Sequence, residues 1–183
     1  MKLIVFAASN NLNSINKVFA TYAAGILKDK ILSEVQVEVL DLNDYEMPIY
    51  RPDRESNEGV PQLAKDFYQK IGSADALIIS FAEYNGSYTA AYKNLFDWTS
   101  RVGKSVYQNK STLVLATSPG KRGAQSVLKA VLDVSPHFGM NVKGSFSLPD
   151  FQKNFDLAKG ELLESEVYKE FFDVLQKFSV SIS

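Results

Sequence analysis

The chain contains no cysteine and only one histidine among its 183 residues. Disulfide bonds, thiolate nucleophiles and sulfur-bound metal clusters are therefore excluded, and a single histidine argues against a first-row metal site. The net charge is -1, with both signs scattered along the sequence. Because no basic stripe is available to neutralise a phosphate backbone, nucleic acid is not an expected partner.

Long hydrophobic runs are also missing. A transmembrane helix needs about 20 apolar residues, and the amino-terminal run over residues 3–8 is too short even for a typical secretory signal. No Pro/Gly-rich linker divides the chain, and 45% of its residues are apolar, which is enough for one core. We therefore expect one cytoplasmic domain over residues 1–183, with no membrane partner.

Three near-continuous apolar runs are typical of strands that are covered on both faces of a parallel sheet. They extend over residues 3–8, 76–81 and 112–117. Residues 35–39 and 142–148 alternate apolar with polar side chains, as edge strands do. Helical periodicity predicts further elements, at roughly 15–27, 61–72, 89–102, 123–135 and 164–179.

This alternation of strands and helices, with right-handed crossovers, predicts an α/β fold of the flavodoxin-like kind. It is a single-domain, three-layer sandwich around a five-stranded parallel sheet of order 2-1-3-4-5. Such sheets bind ligands outside the carboxyl ends of strands one and three, where the winding direction reverses. The first loop (residues 9–16) and the second loop (residues 83–87) follow those strands. The long segment 43–57 is predicted to be irregular, and to cover this site or contact a second subunit.

Short polar side chains crowd the first loop. Ser14 precedes the helical pattern and is a natural N-cap, while Ser9, Asn11 and Asn16 add hydroxyl and amide groups beside the same helix start. Capping alone explains Ser14, but the whole set favours an anion site. The loop has no glycine, so it is not a dinucleotide fingerprint, and the chain contains no P-loop pattern. A phosphate monoester such as that of FMN fits these groups.

Two more loops are expected to border the site. The second loop brings aromatic, amide, glycine and hydroxyl groups, and the third loop (residues 117–124) brings two glycines that allow a backbone to approach a planar ring. When either loop is considered alone, an ordinary turn also explains its residues. The single His137 lies away from all three loops, so we assign no metal ligand and no catalytic side chain.

Two segments carry a more specific pattern. The first loop fits Gly-Ser-x-Arg-x-x-Ser-x-Asn at Ser9, Ser14 and Asn16, but not at Ala8 and Asn11. The second segment fits Pro-Glu-Tyr-Asn-x-Ser-x-Pro-Gly-x-Leu-Lys-Asn-x-x-Asp-Trp. The matching residues are Glu83, Tyr84, Asn85, Ser87, Lys93, Asn94, Asp97 and Trp98. Over nearly its whole length the chain thus resembles the NADPH-dependent FMN reductase family, which includes quinone, azo-dye and chromate reductases.

The resemblance implies an FMN-binding oxidoreductase that passes hydride from NADPH or NADH to the flavin, and then electrons to a small acceptor such as a quinone, a dye or free flavin. It implies that the first loop surrounds the FMN phosphate and that the other two contact the ribityl chain and isoalloxazine. The implied contacts are Ser9, Asn11, Ser14, Ile15 and Asn16, then Glu83, Tyr84, Asn85, Gly86 and Ser87, and finally Ser118, Pro119 and Gly120. A homodimer or homotetramer is implied as well, with Trp98 and neighbouring aromatic residues at the contact.

Asn11 is the main departure from the family pattern. It stands where the family has arginine, which exchanges a charge-assisted phosphate contact for a neutral one and costs ~1 kcal/mol or more. Lys17, Lys121 and Arg122 are candidates to supply the missing charge. Two alternatives stay open: a flavodoxin-like electron carrier, which the nearly neutral charge disfavours, and a cofactor-free binding protein on the same fold.

Overall fold

The computed structural model describes residues 1–32, 34–163 and 165–182. Its main sheet has five parallel strands in the order β2-β1-β3-β4-β5, as predicted. The strands are β1 (Lys2–Ala8), β2 (Gln36–Leu40), β3 (Ala76–Phe81), β4 (Ser111–Thr117) and β5 (Asn141–Leu148). The three inner strands are buried almost throughout, because helices cover both faces of the sheet.

Seven α-helices complete the main architecture of the described residues. They are α1 (Ile15–Ile26), α2 (Pro52–Glu58), α3 (Gln62–Gly72), α4 (Ala90–Val102), α5 (Gln125–Val134), α6 (Phe151–Asn154) and α7 (Glu166–Val180). Helices α3, α4 and α5 pack on one face of the sheet, and α1 and α7 pack on the other. This confirms the three layers and the five predicted helices. The last of these was expected to begin at Glu164, which lies outside the described residues.

The segment after β2 is more regular than predicted. It contains a short 3-10 helix at Leu42–Tyr45 and then α2, which has proline at its start. The prediction of an irregular loop over residues 43–57 is therefore wrong for much of its length. The physical reason is that proline in the first helical turn loses no intrahelical hydrogen bond and already has a helical φ, so here it begins a helix.

Two side chains of α4 hold the stretch between those helices. The Asn94 amide accepts the N–H of Tyr50 at 2.8 Å and donates to the Met47 carbonyl at 3.0 Å. Trp98 Nε1 donates to the Pro48 carbonyl at 2.7 Å. In this chain the amide and the indole that match the family pattern in α4 therefore both satisfy backbone groups of a loop that runs over the helix.

A small hairpin of β6 (Phe155–Asp156) and β7 (Glu161–Leu162) follows α6. It was not predicted, because strands of two residues leave no periodic pattern in the sequence. Phe155 and Leu162 are buried in the core layer beside α1. In the described part of the chain, no helix combines the length and apolarity that a bilayer crossing requires.

Candidate functional site

The three loops meet at the carboxyl edge of the sheet, around a pocket of about 220 Å³. They are neighbours because β1 pairs with β3, and β3 pairs with β4. The pocket is lined by Ser9, Asn11, Asn13, Ser14, Ile15, Asn16, Ala82, Glu83, Tyr84, Thr117, Ser118 and Pro119. This is the position at which sheets of this topology bind their ligands.

Most of the predicted contact residues line this pocket, and four do not. Asn85, Gly86, Ser87 and Gly120 lie outside its lining. Three lining residues were not predicted, namely Asn13, Ala82 and Thr117. Ala82 and Thr117 lie at the ends of predicted strands, and Asn13 directly precedes the predicted Ser14, so these positions were the signal that would have found them.

The beginning of α1 offers four hydrogen-bond donors. Ile15 and Asn16 are its first two residues, so their N–H groups have no acceptor within the helix, and no loop acceptor bonds them in the described structure. The hydroxyl of Ser14 accepts the N–H of Lys17 at 3.2 Å, and that of Ser9 accepts the N–H of Asn11 at 3.2 Å. Each hydroxyl therefore keeps its own proton to donate. Together with the positive end of the helix dipole, this donor set fits a phosphate monoester.

No lysine or arginine lines the pocket. Of the three candidates for a compensating charge, Lys17 is committed elsewhere, because its ammonium group hydrogen-bonds Asp41 and lowers the pKa of that carboxyl. Lys121 and Arg122 are exposed in the third loop, and within the described ranges neither forms an ion pair. Asn11 itself accepts the N–H of Asn13 at 2.9 Å, which leaves its NH₂ group to donate.

Asn16 has a structural role that the sequence did not reveal. Its Nδ2 donates to the Thr117 carbonyl at 3.1 Å, and its Oδ1 accepts the Thr117 N–H at 3.1 Å and the Ser80 hydroxyl at 2.7 Å. The residue is 3% exposed. Asn16 thus ties the start of α1 to the ends of β3 and β4, and the group that it can offer a ligand is its backbone N–H.

The second loop is a tight hairpin turn. Tyr84 and Ser87 exchange backbone hydrogen bonds at 3.0 and 3.1 Å, and the two residues between them, Asn85 and Gly86, have φ of 53° and 79°. Positive φ at both central positions is the mark of a type I′ turn, for which Asn-Gly is the preferred pair. Asn85 and Gly86 are therefore explained by the turn, while Tyr84 is half exposed and borders the pocket.

The third loop packs tightly against the end of β5. Gly123 has φ of 56°, and a Cβ added there would lie 2.4 Å from the hydroxyl oxygen of Ser147. That hydroxyl donates to the Gly123 carbonyl at 2.7 Å. Gly123 is thus required by backbone conformation and by close packing.

Two buried tyrosines lie behind the second loop. The hydroxyls of Tyr92 and Tyr107 hydrogen-bond each other, and burial raises the pKa of both groups. Both stay protonated at neutral pH, so neither acts as a base. His137 is exposed on a 3-10 helix at Ser135–Phe138, away from the pocket lining.

A larger groove lies elsewhere. It has a volume of about 690 Å³ and runs between α1 and the β6–β7 hairpin. It is lined by the sides of these elements, whereas the smaller pocket has the strand ends, the helix start and the available donors. We therefore take the smaller pocket as the candidate site.

The 2-1-3-4-5 sheet, with donors that suit a phosphate at its winding reversal, defines the flavodoxin-like class of α/β proteins. Comparison with known proteins agrees. The profile described as NADPH-dependent FMN reductase matches residues 1–153. The chain belongs to this family.

Two curated relatives illustrate the similarity. The chain is 34% identical over 135 residues to the 2-hydroxy-1,4-benzoquinone reductase of a Burkholderia species. This match covers 72% of this chain and 69% of that protein. It is 35% identical over 143 residues to the NADPH:quinone oxidoreductase of Arabidopsis thaliana, covering 74% and 68%. Among solved structures, a flavoenzyme NAD(P)H:(acceptor) oxidoreductase from Paracoccus denitrificans has the same fold, with a TM-score of 0.77 at 22% identity over 99% of this chain and 96% of that one.

Membership of the family confirms the activity class that the resemblance implied. The protein is an NAD(P)H-dependent flavin oxidoreductase, with FMN as its cofactor and a nicotinamide nucleotide as its reductant.

Proposed function

We propose that the pocket at the carboxyl edge of the sheet binds FMN, with the phosphate against the start of α1. The observation that carries this proposal is the donor set described above. The N–H groups of Ile15 and Asn16 and the hydroxyls of Ser9 and Ser14 all belong to residues that line this pocket, and their protons are available to donate. Asn11 adds an amide in place of the family's arginine.

The size of the pocket indicates how the rest of the cofactor lies. Its volume of about 220 Å³ is below the roughly 300–1,000 Å³ that encloses a drug-sized ligand. The phosphate and the ribityl chain therefore occupy the pocket, and the isoalloxazine rests over the second and third loops. Tyr84, which is half exposed beside the pocket, supplies an aromatic surface for the ring.

FMN, when bound, supplies the two-electron chemistry, since it accepts hydride from NAD(P)H and returns electrons to an acceptor. The protein needs no acid or base for the first of these reactions. Its own part is to hold the ring and to stabilise negative charge with backbone donors. The N–H groups of Gly120 and Lys121 make no hydrogen bond in the described structure, so they are available for that purpose.

We propose a small quinone as the acceptor. Two of the relatives carry names that specify reduction of a quinone, and a flat acceptor stacks on an exposed ring with few specific contacts. An exposed isoalloxazine ring also admits dyes and free flavin. Comparing the reduction rates of these acceptors with that of a quinone determines the preference.

We further propose that residues 1–183 work as one domain in the cytoplasm, as a homodimer or homotetramer. The support for an oligomer is that large apolar side chains are exposed on the surface, among them Leu12, Ile49 and Val134. Trp98, in contrast, is fully buried beneath residues 47–50, so the contact would be made by its neighbours. Light scattering of the purified protein measures the subunit number.

An anaerobic titration tests the proposed reaction. FMN-loaded protein is mixed with NADPH or NADH, and the flavin absorbance is followed. We expect bleaching by at least one of the two nucleotides, and recovery of the absorbance when a benzoquinone is added. No bleaching by either nucleotide would refute the reductase, and bleaching without steady turnover would favour the electron carrier.

A further inference from the structure

Glu83 has a carboxylate beside the pocket, yet its side chain is used within the fold. One carboxylate oxygen, Oε2, accepts the N–H of Val127 at 2.9 Å. Val127 is the third residue of α5. This single contact therefore joins the second loop, which follows β3, to the helix that follows the third loop.

The start of α5 needs such an acceptor. Its N-cap residue is Ala124, which has φ of 61° and no side-chain hydrogen bond to the helix. The N–H groups of Gln125 and Leu128 bond the carbonyls of Arg122 and Ala124, whereas that of Val127 has no local acceptor. Glu83 takes the place of the missing cap, with its negative charge at the positive end of the helix dipole.

The third loop is held from two sides. Gly123 and Ala124 both have positive φ, a conformation that alanine adopts at a cost, so contacts with the rest of the fold must hold this loop. Ser147 holds the Gly123 carbonyl from the side of β5. Glu83 holds the first turn of α5 from the side of β3, and forms no ion pair in the described parts of the chain that would compete for its carboxylate.

We propose that Glu83 is a positioning residue that fixes the separation of the second and third loops before the cofactor binds. The proposal rests on the proposed function, because these are the loops on which the isoalloxazine would lie. A site whose loops are already ordered loses less conformational freedom on binding than one that must order them. Removing the contact should therefore weaken FMN binding, because the Glu83 carboxylate that accepts the Val127 N–H would no longer hold the two loops together.

Two replacements separate this role from a direct contact with the ligand. Glu83→Ala removes the acceptor, while Glu83→Gln keeps an oxygen that accepts the Val127 N–H and loses the charge. Glu58→Ala is a matched control, since Glu58 is exposed at the end of α2 and makes no ion pair in the described structure. If the alanine variant does not fold, Glu83→Asp replaces it, because its carboxylate is one methylene too short to make the same bond.

The first measurement is amide hydrogen exchange at Val127 in FMN-free protein, with buried Ile78 of β3 as the reference for global unfolding. In Glu83→Ala we expect exchange at Val127 to accelerate about tenfold or more, and by a larger factor than at Ile78, because only the Val127 N–H loses its own acceptor. Glu83→Gln and Glu58→Ala should stay close to the parent protein. The second measurement is the Kd for FMN, which should rise about tenfold in the alanine variant and be restored in the glutamine variant.

Unchanged Val127 exchange in Glu83→Ala would overturn the proposal, as would accelerated exchange with an unaltered Kd. A glutamine variant that protects Val127 but binds FMN as weakly as the alanine variant would also overturn it, because the charge would then act on the ligand. If the parent protein fails to bind FMN, the proposed function fails by itself. The exchange at Val127 still decides whether Glu83 joins the two loops.

Discussion

Replacing Asn11 by arginine should tighten FMN binding about fivefold. Asn11 stands on the first loop where the family pattern has arginine, and it lines a pocket that contains no cation. Its side chain is exposed, so a longer side chain has room. A guanidinium at this position would meet a phosphate that is otherwise held only by neutral donors.

The size of the effect follows from two opposing terms. A hydrogen bond to a charged group contributes about 1.5–3 kcal/mol. The hydrogen bond that Asn11 accepts from the N–H of Asn13 would be lost, and this costs about 0.5–1.5 kcal/mol of free energy that keeps the first loop ordered. The net gain is ~1 kcal/mol, and this corresponds to the fivefold change in Kd.

Quenching of flavin fluorescence gives the Kd for FMN and for riboflavin, which lacks the phosphate. The variant should bind FMN more tightly and riboflavin as before, and the gain should shrink as salt is added, because salt screens an exposed charge. Asn10→Arg is the matched control. It places the same charge on the same loop, but Asn10 lines a different cavity, beside Met47 and Ile49.

Equal tightening of riboflavin and FMN would show that the arginine does not meet a phosphate. An equal effect of Asn10→Arg would mean that the added charge acts only through the overall field. An unchanged Kd for FMN would place the phosphate away from Asn11 and would refute the assignment of the first loop.

Three further substitutions test the contacts that hold the fold together. Asn94→Ala leaves two backbone groups of the residue 47–50 loop without their partner, so urea unfolding should show a loss of about 2 kcal/mol, and an unchanged free energy would contradict the role of Asn94. Gly123→Ala forces a left-handed alanine against Ser147 and should cost about 1–3 kcal/mol, seen as a lower Tm; an unaltered Tm would refute the packing argument. Hydrogen bonds from two lysines lower the pKa of Glu38, so the ionised carboxylate stabilises the folded state. Its contribution to the unfolding free energy is at most about 1 kcal/mol, because solvent screens the ion pairs. The contribution is present above pH 4.5 and is lost as the pH falls through the lowered pKa. The parent should therefore exceed Glu38→Gln in unfolding free energy at pH 7 and match it once the pH lies below the lowered pKa, and a difference that grows on acidification would reverse the assigned sign.

The sequence predicts the fold well because its signals are local. Near-continuous apolar runs mark the buried strands, and alternation marks the edge strands, so the order of elements leaves one common topology. The sequence signals that set the conformation of the first and second loops are local as well. Ser14 caps α1 as predicted, and the Asn85-Gly86 pair forms the expected kind of turn.

The parts that the sequence does not predict depend on contacts between distant residues. Nothing beside Asn16 in the sequence shows that its amide binds the backbone at Thr117, and nothing near Glu83 indicates its bond to Val127. Both residues match the family pattern, which a sequence comparison interprets as contact with the cofactor. In the described structure both side chains hold the loops together, so a motif residue at a binding site can have a structural role in addition to any contact with the ligand.

The most direct test of the account is a crystal structure of the protein with FMN. The account predicts the phosphate within hydrogen-bond distance of the N–H groups of Ile15 and Asn16 and of the hydroxyls of Ser9 and Ser14, with the ring over the second and third loops. FMN bound in the larger groove between α1 and the β6–β7 hairpin, or a phosphate that does not meet the start of α1, would contradict it.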